Sequence, residues 1–141
     1  MRFWDSSAIV PLLVQEEETG RRKAQLKDDP RMTVWWACRL ECSSALNRLG
    51  RDGSLDEAGL SRALRDLGTL ADGWFEMQPT EELRARAMRL LRVHPLRAAD
   101  ALQLAACLAV CGENPAQMVF LCADARLLAA ADKEGLTVPG N

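Results

Sequence analysis

Four acids, Asp5, Glu41, Asp100 and Asp124, occupy positions where a carboxylate can do chemistry. Asp5 closes the short run Arg2-Phe3-Trp4, which reads as a strand. Asp124 lies two residues past Val119-Phe120-Leu121-Cys122, a continuous apolar run of the kind found in buried parallel strands. Glu41 is one turn into a helix predicted from about Cys38 to Leu49. Asp100 sits in Arg97-Ala98-Ala99-Asp100-Ala101-Leu102, early in the most apolar helix of the chain. At ~100° per residue, Leu104, Cys107 and Cys111 share its stripe, so Asp100 should point inward. A carboxylate in apolar surroundings is unfavourable unless it is paired, hydrogen-bonded or bound to metal. Too few cations are at hand to neutralise four converging acids. A hard divalent cation, magnesium or manganese, answers the problem with oxygen ligands. The chemistry that follows is metal-assisted hydrolysis of a phosphodiester. Taken singly, each acid has a plainer role, and Asp124 reads equally well as the cap of the next helix.

The elements that must position these acids follow from punctuation and periodicity. After the strand ending at Asp5, Ser6 and Ser7 can cap a helix from Ala8 to about Gln15, with Pro11 in its first turn. Glu16 to Asp29 reads as an exposed, charge-rich helix anchored by Leu26 and stopped by Pro30. Met32-Thr33-Val34-Trp35-Trp36 is β-prone. The Glu41 helix ends at Gly50 and Asp52-Gly53. Ser54 can cap a helix to about Ala71, whose Leu60, Leu64, Leu67 and Leu70 form one apolar face. Trp74 to Met77 suggests a third strand, and Thr80 caps a helix to Arg92. His94-Pro95 breaks the chain before a helix over Leu96 to Val110. A helix over Ala125 to Lys133 follows the last buried strand, and Leu136-Thr137-Val138 reads as an edge strand. Strands separated by helices predict a single α/β domain, three-layered around a short parallel sheet. In such sheets ligands bind at the carboxyl ends of the strands, where Asp5 and Asp124 fall.

Bulk properties narrow the class. The chain has 141 residues, 48% hydrophobic and 27% charged, an ordinary globular composition for one domain. No run approaches the ~18 apolar residues of a membrane span, and an acid stands where a signal peptide would be apolar, so a soluble cytoplasmic protein is expected. A net charge of -2 gives no general basic face for nucleic acid, and any attraction for it must be local. Five cysteines, an odd number in a chain able to fold without staples, argue for free thiols.

The order and spacing of several segments resemble PIN-domain ribonucleases, in particular the VapC toxins of bacterial toxin–antitoxin pairs. The segments are Asp5-Ser6-Ser7-Ala8, Glu41 in the third helix, His94-Pro95-Leu96-Arg97-Ala98-Ala99-Asp100-Ala101-Leu102-Gln103-Leu104-Ala105-Ala106, and Cys122-Ala123-Asp124-Ala125-Arg126-Leu127-Leu128. The resemblance implies that Asp5, Glu41 and Asp100 are the principal acids of a magnesium or manganese site, completed by Asp124 directly or through water. It implies endonucleolytic cleavage of single-stranded or looped RNA (transfer or ribosomal), inhibition by a cognate antitoxin, and a homodimer. Ser7 resembles the small hydroxyl residue that orients the site. The chain departs from many relatives at Cys122, where they carry Thr or Ser.

Other features admit functional readings against simpler ones. Cys38/Cys42 and Cys107/Cys111 are each spaced i,i+4 and could together bind zinc, though buried thiols are the commoner outcome. The lone His94 reads as a structural turn residue. Arg86, Arg89 and Arg92 form a stripe expected to be solvated, with RNA contact by it, or by Arg97 and Arg126, as the sharper alternative. Trp4, Trp35, Trp36 and Trp74 are expected in the core or at an interface rather than as a stacking platform. A phosphatase of the haloacid dehalogenase type would need a second aspartate at position 7, where this chain has Ser7. The rival from another class is a catalytically silent PIN-fold interaction module.

Overall fold

The computed structural model describes residues 1–140. The chain runs β1 (Arg2–Trp4), α1 (Ser6–Leu13), α2 (Thr19–Asp28), β2 (Met32–Trp35), α3 (Cys38–Arg51), α4 (Glu57–Gly73), β3 (Phe75–Met77), α5 (Glu81–Val93), α6 (Ala98–Cys111), a 3-10 turn (Pro115–Gln117), β4 (Val119–Leu121) and α7 (Ala125–Lys133). The strands form one parallel sheet in the order β3-β2-β1-β4. From β1 the chain adds strands on one side as far as β3, then returns to place β4 on the other side. The switch point therefore falls between β1 and β4, where the carboxyl ends of both strands open a crevice.

Side-chain alternation along the strands separates two cores. Trp4, Val34 and Leu121 point to the face covered by α1, α3 and α4. Phe3, Trp35 and Phe120 point to the face covered by α5, α6 and α7. Phe3 stacks on Phe120 at 5.9 Å between ring centroids. The predicted three-layer α/β architecture is therefore present. The four-thiolate zinc site is excluded by the same alternation: Cys38 and Cys42 lie in one core and Cys107 in the other. Trp4, Trp35 and Trp74 are buried, while Trp36, one residue past β2, is half exposed. Among the described residues no helix is long and apolar enough to cross a membrane.

Several boundaries differ from expectation because caps competed. Asp5, not Ser6 or Ser7, caps α1, so that helix starts at Ser6 and Pro11 lies in its interior rather than its first turn. Asp56, not Ser54, caps α4, accepting the Gly59 N–H at 2.7 Å. Thr80 caps α5 as expected. The acidic stretch before Thr19 is not helical, and α2 is less exposed than its composition implies, since Arg22 is buried against β4. The last predicted strand is reduced to one bridge, Val119 with Thr137. The helix α6 ends at Gly112, whose φ of 60° suits a residue without Cβ.

Candidate active site

Asp5 reaches the crevice because β1 ends there. Its backbone N–H donates to Leu121 O at 2.9 Å, prolonging the β1–β4 pairing by one residue. Its Oδ2 accepts the Ser7 N–H at 3.0 Å and the Ser7 hydroxyl. The same hydroxyl oxygen accepts the Ala123 N–H at 2.9 Å, so Ser7 ties the turn after β1 to the loop after β4. That loop is fixed twice more. Cys122 Sγ accepts the Asp124 N–H at 3.2 Å, and the buried Arg22 donates Nη2 to Cys122 O at 3.2 Å. The thiol at position 122 therefore still holds the backbone of Asp124, although sulfur is the weaker acceptor.

Asp124 caps α7, its Oδ1 accepting the N–H groups of Arg126 and Leu127 at 2.9 and 3.0 Å. The simpler role read from its position is thus present, and the residue also lines a cavity of about 630 Å³ with Asp100, Arg97 and Arg126. Asp100 projects from the first turn of α6, half-buried. Glu41 projects from the first turn of α3 on the opposite face of the sheet, and lines a second cavity of about 490 Å³ with Ser6, Ser7 and Arg48. Two layers thus bring their acids to one edge.

The acids feel one another. Burial pushes the Asp5 carboxyl up from its ordinary value, against the lowering effect of the Ser7 hydrogen bonds, and Asp100 adds repulsion. Burial, with repulsion from Asp5 and Asp100, pushes Glu41 up to about 7. Burial and the Asp124 charge raise Asp100, while Arg97 pulls it back. None of the four carboxylates enters an ion pair among the described residues. Nor do three of them close to within ligating distance of one point.

Gln103 completes this group, although the sequence motif alone assigns it no role. It is 1% exposed and donates Nε2 to Glu41 Oε1 at 2.6 Å, bridging α6 to α3. Its own Oε1 is buried without a partner. The available signal was its spacing, three residues after Asp100 and hence on nearly the same helix face. Arg22 gave no such signal, because only the tertiary fold brings α2 to Cys122. His94 serves the turn before α6, pairing with Glu134 at the end of α7 at 3.1 Å. The α5 stripe Arg86, Arg89 and Arg92 lines neither of the two cavities.

No protein-family model matches the sequence. The chain is 34% identical over 120 residues to Ribonuclease VapC45 of Mycobacterium tuberculosis, across 77% of this chain and 75% of that protein. Among solved structures it resembles VapC20 of M. tuberculosis, a sarcin–ricin loop cleaving toxin, with a TM-score of 0.69, 18% identity and coverage of 92% of this chain and 95% of that one. It also resembles FitAcB from Neisseria gonorrhoeae, with a TM-score of 0.68, 16% identity and coverage of 99% and 97%.

Proposed function

The chain belongs to the VapC family of PIN-domain ribonucleases, and on that basis we propose that it is a magnesium- or manganese-dependent endoribonuclease whose site is Asp5, Glu41, Asp100 and Asp124. The observation that carries this reading is that Asp5 and Asp124 follow the adjacent carboxyl ends of β1 and β4, with Glu41 and Asp100 near enough for their charges to be felt there and none of the four in an ion pair among the described residues. An all-oxygen donor set, with three carboxyls pushed up by burial and by one another's charge, fits a hard divalent cation. Asp5, Glu41 and Asp100 would hold it, with Asp124 directly or through water. When bound, such an ion supplies charge neutralisation at the acids and phosphate and acidifies a water at neutral pH.

The chain's own groups do the rest. Ser7 fixes Asp5 and, through Ala123, the spacing between the β1 and β4 ends. Gln103 fixes one oxygen of Glu41. Arg97 offsets part of the negative charge facing the phosphate.

Transfer or ribosomal RNA is the substrate class on this reading, in the cytoplasm. A cognate antitoxin and a second copy of the chain are its protein partners. The exposed Trp36 and Leu40 beside Glu41 are apolar surface that a protein partner would cover. The deciding experiment incubates purified, antitoxin-free protein with total and transfer RNA in magnesium, manganese or EDTA, beside Asp100→Asn. Metal-dependent cleavage should fall at least about a hundredfold in the variant. A folded protein that neither cleaves RNA nor binds either metal would instead be the silent interaction module.

A further inference from the structure

The acids form a chain across the crevice: Glu41 repels Asp5 and Asp100, and Asp100 in turn repels Asp124. A cavity opens at each end. At the Asp124 end, Arg97 and Arg126 line the larger one; at the Glu41 end, Arg48 lines the other, beside Val10 and Leu40. All three arginines are exposed, and none enters an ion pair among the described residues. The α5 stripe Arg86, Arg89 and Arg92 is likewise outside any ion pair among the described residues, so what sets Arg48, Arg97 and Arg126 apart is that each lines one of the two cavities.

An acidic centre with unpaired guanidinium groups at both ends matches a polyanion that passes through it. A chain of net charge -2 has no long-range attraction for RNA, so affinity must come from cations close to the cleaved bond. Guanidinium stays charged at any working pH and grips phosphate through two parallel hydrogen bonds. We propose that one RNA strand crosses the acids from the α1/α3 cavity to the α6/α7 cavity, with Arg48 holding a phosphate on one side of the scissile bond and Arg97 with Arg126 holding the phosphate on the other. This rests on the nuclease reading and adds the strand's path and its three positioning residues. The α1/α3 end also offers apolar contact to a base through Val10 and Leu40. The Arg86, Arg89 and Arg92 stripe takes no part.

The test measures binding of a short, labelled, single-stranded RNA of mixed sequence to the Asp100→Asn protein over a salt series. Adding Arg48→Ala, Arg97→Ala and Arg126→Ala should weaken binding by on the order of tenfold or more near physiological salt. The slope of log affinity against log salt should flatten by about 1.4, at ~0.7 for each of the two single-strand phosphates that are no longer neutralised. Arg48→Ala alone, and Arg97→Ala with Arg126→Ala as a pair, should each flatten it by about 0.7, which covers the case in which the triple variant melts early. Arg86→Ala with Arg89→Ala and Arg92→Ala should leave the slope unchanged. With the acids intact, removal of the three arginines should raise KM for RNA more than it lowers kcat. If the unaltered chain cleaves RNA but the triple variant keeps its slope, or the α5 variant loses as much, the strand path is wrong while the nuclease stands. If the unaltered chain cleaves no RNA in either metal, the nuclease reading fails and the path with it.

Discussion

Replacing Gln103 with methionine keeps the length and apolar bulk of the side chain but removes the amide that holds Glu41 Oε1 at 2.6 Å. It also removes a buried acceptor that has no partner, so the metal-free protein should melt at nearly its original temperature. Manganese affinity, measured by calorimetric titration, should fall about 10- to 100-fold, as when an outer partner of a ligand is removed. Unchanged affinity would show that Glu41 orients itself. The Glu41 carboxyl, raised to about 7, makes a second prediction. Its ordinary value is lower, so the unfolded chain ionises first as pH rises. The folded state keeps its full relative stability below about pH 4.5 and loses this contribution as pH passes 7. Asp5 and Asp100 shift in the same direction, while Asp29 and Asp52, held low, stay ionised throughout. In EDTA the melting temperature should therefore decline from pH 5.5 to 8, less steeply in Glu41→Gln; equal slopes in the two proteins would refute the assignment. At this scale the acids were legible in the sequence because position after a strand or early in a helix is a local property. Gln103 and Arg22 were not, because each acts on a residue from a distant part of the chain.

The element that carries most of the site is α6, which supplies Asp100 to the crevice and Gln103 to Glu41. Its depth is set by Leu104, fully buried between the sheet and the other helices of its layer. Truncating Leu104 to alanine should cost about 2–5 kcal/mol of stability by urea denaturation. A loss well below about 1 kcal/mol would mean that the core closes over the gap. The existence and type of the helices and of the four strands were readable from apolar periodicity and from Gly, Pro and Thr punctuation. Their starts were less readable wherever several capping residues stand together. Asp5 prevails over Ser6 and Ser7 because its carboxylate accepts from the Ser7 N–H while β1 fixes its backbone. Asp56 prevails over Ser54 in the same way, by accepting from Gly59. The strand expected at Leu136–Val138 pairs only at Thr137, since β4 is just three residues long.

For the whole molecule, the four acids act as one electrostatic unit, and a cation should be felt in global stability. Adding manganese at pH 8 should raise the melting temperature of the unaltered chain. It should do so much less for Asp5→Asn or Asp100→Asn, because a ligand that binds only the folded state stabilises in proportion to its occupancy. Equal increments in all three proteins would place the metal elsewhere. The sequence by itself determined the alternation of strands and helices, the parallel sheet they imply, and the identity of the acids at its carboxyl edge, because each follows from local spacing and residue type. Only the tertiary structure decided the strand order that sets β1 beside β4 and the separation of the two cysteine pairs into different cores. It alone also set the amide of Gln103 against Glu41, the guanidinium of Arg22 under the loop after β4, and three unpaired arginines at the two ends of the acid row. These are contacts between residues far apart in the chain, and no local pattern encodes which of many possible partners the packing of three layers will choose.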